Sequence, residues 1–125
     1  MNDKEFQEVV ECGIDRLPDE FKNHLDNVEI VVADAPDEIQ TIKMKLKYQT
    51  DRPFFLLGLY KGVPVGGRSV FSTPPLPARI TLFKDSIEKF CRTREEMISQ
   101  IHRTLLHEIG HHFGLSDKEL RELGF

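Results

Sequence analysis

His107-Glu108-Ile109-Gly110-His111-His112-Phe113-Gly114-Leu115-Ser116-Asp117 decides how this chain is read. The stretch has the form H-E-x-x-H-x-x-G-x-x-D. Its outer histidines, His107 and His111, fall one turn apart on one face of a helix and can share a metal ion. Zinc accepts neutral imidazole nitrogens, and a catalytic zinc keeps one position open for water. Glu108 follows the first histidine, where a carboxylate can take a proton from that water. Gly114 can adopt positive φ, end the helix and turn the chain back. Asp117 then falls where a third ligand can reach the metal.

Working outward, Thr93-Arg94-Glu95-Glu96 has the pattern of a capping box, with Thr93 as N-cap. One helix is expected from there to about Phe113, roughly 20 residues or ~30 Å. At about 100° per residue, with His107 at zero, His111 falls near 40° and Glu108 near 100°. Ile98, Leu105, Leu106, Ile109 and Phe113 fall at roughly 160° to 260°, nearly opposite. One face therefore anchors the helix and the other presents imidazoles and a carboxylate. His102 falls on the apolar side and reads as a packing residue. His112 falls beside the site but turned away, which suits packing behind it. Asp117 has a second reading, because an aspartate in the first turn of a helix complements the dipole. Ser116-Asp117-Lys118-Glu119 is a further capping box and opens a last short helix to Leu123.

On these residues the chain resembles the zincins, whose motif is H-E-x-x-H. The extension through Gly114 resembles the metzincin form, with Asp117 in place of the third histidine. The chain is also similar to the small bacterial minimal-zincin metallopeptidases. The matching pieces are Leu57-Gly58-Leu59-Tyr60-Lys61-Gly62, Leu76-Pro77-Ala78-Arg79-Ile80-Thr81-Leu82-Phe83, and His107 to Asp117. No methionine follows Asp117, so the methionine turn of metzincins is missing. The resemblance implies a zinc-dependent peptidase of α+β, zincin-like fold. A three- or four-stranded sheet would pack on the long active-site helix, with short helices around it. His107, His111 and Asp117 would hold Zn²⁺, and Glu108 would be the general base. An extended peptide would pair along an edge strand, for which Arg79–Phe83 is the candidate.

Length and composition agree with this class. The 125 residues suit one minimal zincin-like domain, residues 1–125. A net charge of -4 gives no general attraction to nucleic acid or to an anionic membrane. No apolar run approaches the ~18 residues that span a bilayer. Met1-Asn2-Asp3-Lys4-Glu5 lacks a signal-peptide core, and the expected location is cytoplasmic. Cys12 and Cys91 lie far apart and read as reduced thiols.

The remaining chain reads as follows. Phe6, Val9, Val10, Ile14 and Leu17 keep helical spacing from Asp3, a candidate N-cap, to Leu17. Pro18-Asp19-Glu20-Phe21 opens a short helix to about Leu25. Val28–Ala33 is the best strand of this half, after a turn at Asp26-Asn27. Residues 39–48 fit a helix through about residue 45, or a strand with a lysine face. The lysine row reads as a solvated face. Phe54–Tyr60 reads as a buried strand turning at Gly62. Val63–Ala78 is a long loop rich in glycine and proline. Asp85–Cys91 is a short helical turn. His24 reads as a surface residue. Tyr48, Tyr60 and Arg79 are candidates to stabilise an oxyanion.

A second function class remains open at this point. The same metal site could fix the C-terminal turn of a binding module that cleaves nothing. Glu108 argues against it, since a structural site has no use for a base. Zinc-assisted hydrolysis of a non-peptide bond is a third reading, because the motif selects water chemistry and not a substrate.

Overall fold

The structure, a computed structural model, describes residues 1–23, 25, 27–47, 56–62 and 78–122. Its elements run α1 (Asp3–Asp15), α2 (Asp19–Lys22), β1 (Val28–Ala33), α3 (Glu38–Lys47), β2 (Gly58–Lys61), β3 (Ala78–Phe83), α4 (Lys84–Phe90), α5 (Arg94–His112) and α6 (Asp117–Glu122). The fold is α+β: a small mixed sheet and several helices around the long α5.

The sheet has the order β1-β3-β2. β1 and β3 are parallel, with Val28 opposite Ala78 and Ala33 opposite Phe83. β2 joins antiparallel, with Gly58 opposite Leu82 and Tyr60 opposite Ile80. This overturns one expectation. Arg79–Phe83 lies in the central strand, bonded on both sides, and has no free edge to offer a substrate. Among the described strands the edge beside α5 belongs to β2. The apolar run of β3 contains the reason: Ala78, Ile80, Leu82 and Phe83 are all buried, as befits an interior strand.

Asn27 turns the chain into β1 with φ of 65°, a left-handed conformation that asparagine tolerates. Its carbonyl accepts from the Ala78 amide at 3.0 Å, which starts the β1–β3 pairing. α1 is capped by Asn2, not Asp3: the Asn2 side chain accepts from the Glu5 amide at 2.8 Å. α2 stops at Lys22, earlier than the expected end near Leu25.

α5 is the central packing element. Ile101, Leu105 and Ile109 are fully buried at i, i+4 and i+8. They meet Phe6 and Val10 from α1 and Ile80 and Leu82 from β3 in one core cluster. Burying each such side chain is worth about 1.5–3 kcal/mol. His102 is a packing residue, as its angle suggested: its Nε2 lies 2.9 Å from the Val9 carbonyl and ties α5 to α1. Gly13 permits that approach, since a Cβ there would stand 2.7 Å from the His102 ring. Thr93 caps α5 by accepting from the Glu96 amide at 3.1 Å, while the Glu96 carboxylate accepts from the Arg92 amide at 2.7 Å.

α3 resolves the ambiguity of residues 39–48 in favour of helix. Asp37 and Gln40 form a reciprocal box at its start, 2.7 and 3.0 Å. Its apolar residues do not enter the core, however: Ile39, Ile42 and Leu46 are 65%, 56% and 72% exposed. Cys12 and Cys91 are free thiols. Among the described residues no helix is long and apolar enough to cross a membrane. The expected loop over residues 63–77, the start of the Phe54–Tyr60 strand, His24 and Tyr48 lie outside the described residues.

Candidate metal centre

α5 ends where the motif's glycine said it would. Gly114 has φ of 83°. The Leu115 amide reaches back to the Gly110 carbonyl and the Gly114 amide to the His111 carbonyl, both at 3.0 Å. This is a Schellman closure, and it reverses the chain. Ser116 then caps α6: its hydroxyl accepts from the Glu119 amide at 3.2 Å, and the Glu119 carboxylate accepts from the Ser116 amide at 3.3 Å. Asp117, in the first turn of α6, is thereby aimed back at α5.

Its Oδ1 stands 2.9 Å from His107 Nε2 and 3.2 Å from His111 Nε2. The two imidazoles meet edge to face with centroids 4.7 Å apart. Single donor atoms of His107, Glu108 and His111 lie within 4.8 Å of one another. Donor atoms about 2.0–2.1 Å from a tetrahedral zinc are about 3.4 Å apart. The two imidazole–carboxylate separations are slightly shorter than this, so only a small adjustment would admit an ion.

The chemistry of the donors supports a cation more strongly than the spacing does. His111 Nδ1 lies 3.0 Å from the Leu115 carbonyl, which can only accept. That nitrogen therefore carries a hydrogen, which in the neutral form of the ring would leave the lone pair at Nε2. The lone pair faces a carboxylate oxygen. Two electron-rich atoms at 3.2 Å attract only with positive charge between them, as a proton or a metal ion. Two imidazoles and one carboxylate form a set that suits zinc.

Glu108 sits beside them and is only 8% exposed. Burial first, and the negative charge of Asp117 second, push its carboxyl up to about 7, against a weaker pull down from the Lys47 ammonium. The cleft over these groups has a volume of about 430 Å³, with walls from α3 (Met44, Lys47), β2 (Gly58 to Tyr60) and the Gly114–Asp117 turn.

The other candidates separate by position. Tyr60 projects from β2 into the space between sheet and helix, and its hydroxyl is 2.9 Å from His112 Nδ1. His112 is 1% exposed, packed against Tyr60 and Phe113. The side-chain alternation of β3 sends Arg79 to the opposite face of the sheet from Ala78 and Ile80. It pairs there with Glu29 at 3.2 Å and lines no part of the cleft, so it does not serve as an oxyanion donor.

Two glycines shape the site without appearing among the candidates. A Cβ at Gly110 would collide with both methyl groups of Leu120, the one buried residue of α6. The missing side chain lets α6 lie against α5, and so lets Asp117 reach the imidazoles. A Cβ at Gly58 would stand 2.7 Å from Thr104 Cγ2 and 3.3 Å from Glu108 Cγ, so Gly58 lets β2 approach Glu108. A signal existed in each case. Glycine inside a helix costs about 1 kcal/mol against alanine, and inside a strand it often marks a close approach.

The α+β fold, with H-E-x-x-H on a long helix and an acidic residue turned back on it, defines a zincin-like protein. Residues 25–125 match the family model described as zincin-like metallopeptidase, and the chain belongs to that family. No curated protein matches it.

Proposed function

We propose that the protein is a zinc-dependent peptidase in which His107, His111 and Asp117 hold the metal and Glu108 is the general base. One observation carries the reading: a single Asp117 oxygen lies within 2.9 and 3.2 Å of both motif imidazole nitrogens, with a buried carboxyl alongside. When bound, zinc lowers the pKa of a water and polarises a carbonyl oxygen. The protein supplies the rest. Leu115 fixes the His111 ring through its carbonyl, so that Nε2 stays available. Glu108 accepts a proton from water and returns it to the departing amine. Its buried position raises its proton affinity towards neutrality, where both transfers are feasible, and a cation on the imidazoles offsets part of that rise. The edge of β2, which no strand pairs among the described residues, would offer backbone groups to an extended peptide, which is the role expected earlier of Arg79–Phe83.

The test is zinc-loaded protein against a broad peptide library, with Glu108→Gln in parallel. The expected result is one zinc per chain in both proteins, with cleavage reduced by about 10²–10⁴ in the variant. Asp117→Ala and His107→Ala should lose the metal. Full metal occupancy without any peptide hydrolysis, and with Glu108→Gln indistinguishable from the parent, would favour the non-cleaving module and sink the enzyme.

A further inference from the structure

The cleft does not end at the metal ligands. A second hollow of about 240 Å³ adjoins it and shares Gly58, His107 and Glu108 with it. The two hollows meet at Gly58, His107 and Glu108. Arg103 lines the second hollow, one helical turn before His107 and about 6 Å along the α5 axis. Lys47, in the last turn of α3, lines the first. Each hollow, and so each flank of a groove running through both, carries a cation.

The setting gives these two cations meaning. The chain has a net charge of -4, so positive charge at both flanks runs against the general balance. Among the described residues, the acidic ones that line the two hollows, Glu108 and Asp117, belong to the candidate centre between the flanks. Arg79 and Arg94 are held by Glu29 and Glu5, whereas Arg103 has no ion pair among the described residues. A guanidinium left open beside a peptide groove is suited to bind a carboxylate with two parallel hydrogen bonds.

We propose that the groove selects peptides with carboxylate side chains on both sides of the scissile bond, Arg103 reading one and Lys47 the other. This rests on the peptidase reading for the position of the scissile bond, but its test does not require turnover.

Zinc-loaded Glu108→Gln protein is titrated into labelled octapeptides capped at both ends. The two central residues are alanine, and glutamate, glutamine or lysine occupies one flank or both. Exposed ion pairs contribute up to about 1 kcal/mol, so each glutamate flank should tighten binding about threefold to fivefold over glutamine. The gain should shrink at high salt. Arg103→Glu should invert the preference on one flank only, and Lys47→Glu on the other only. An uncapped glutamine peptide, with a free chain-end carboxylate, should not match the peptide with glutamate on both flanks. Equal affinity for glutamate and glutamine peptides, ratios unmoved by either charge reversal, or a chain-end carboxylate that suffices alone would each overturn the proposal. Charge preference without cleavage by the parent protein would sink the peptidase reading and leave standing the groove's selection of carboxylate side chains by Arg103 and Lys47. Cleavage without charge preference would do the reverse.

Discussion

Gly110→Ala is the sharpest probe of how Asp117 is delivered. The new methyl would lie inside the contact radius of both Leu120 methyls. Carbon atoms need about 3.5–4.0 Å, so α6 or the Leu120 side chain must retreat by roughly 1.3–1.8 Å. Leu120 is fully buried, so a new rotamer would have to displace core neighbours, and the expected movement is of α6. Asp117 opens that helix and moves with it. Metal sites tolerate about 0.2 Å in ligand distance, well under that displacement. Zinc affinity should fall at least about tenfold, as when a supporting contact of a metal site is lost. Stability should change less. Overpacking costs about 1–3 kcal/mol, and replacing a helical glycine returns about 1 kcal/mol. Competition with a chromophoric chelator measures affinity, and circular dichroism checks the helices. Leu120→Ala added to Gly110→Ala removes the collision and should restore most of the affinity, despite a core loss of about 2–5 kcal/mol. Unchanged zinc affinity in Gly110→Ala, or no recovery in the folded double variant, would refute this account of the turn.

Two further outcomes follow from the same contacts. Metal-free protein should lose stability as pH rises from about 4.5 to 7: Glu108 binds its proton more tightly folded than unfolded, so the native state holds more protons in that window. A shift from 4.5 to about 7 corresponds to about 3 kcal/mol, present below pH 4.5 and gone above 7. Urea titrations in chelator at pH 5 and 8 should show this fall in the parent, with Glu108→Gln flatter by that amount; parallel curves would contradict it. Gly13→Ala should destabilise by about 1–3 kcal/mol, because its methyl meets the His102 ring at 2.7 Å and Leu105 at 3.1 Å. Thermal melts measure it, and an unchanged melting temperature would show that α1 yields freely.

Most of the candidate site's geometry was legible because its parts are local. His107, Glu108, His111, Gly114 and Asp117 share one helix and the turn after it, and helical geometry nearly determines their arrangement. The closing box, Ser116 to Glu119, was equally readable, since both partners lie three residues apart. What failed was long-range. Arg79–Phe83 looked like an edge because a strand's neighbours leave no mark in its own sequence. Its apolar Ala78, Ile80, Leu82 and Phe83 pointed to a largely buried strand, but the pattern alone could not say which strands flank it. The helical spacing of Ile39, Ile42 and Leu46 predicted the helix correctly and its burial wrongly. Periodicity reports a face, and only tertiary structure decides what meets it.

The same division between local and distant parts gives a final expectation. The proposed donor atoms come from α5 and α6, whereas the proposed substrate wall comes from β2, 45 or more residues earlier in the chain. Gly58 is where that wall touches α5. In Gly58→Ala the added methyl presses on Thr104 Cγ2 at 2.7 Å and approaches Glu108 Cγ at 3.3 Å. Neither atom belongs to His107, His111 or Asp117. Zinc affinity should therefore stay within about twofold of the parent, inside the few tenths of a kcal/mol by which distant sites fail to add. Turnover should fall about 10²-fold, because displacing the base and the edge strand by about 1 Å disrupts positioning. Chelator competition and peptide hydrolysis on one preparation separate the two quantities. If affinity and turnover fell together, the metal centre would depend on β2 after all, and the claim that α5 and its turn build it alone would be wrong.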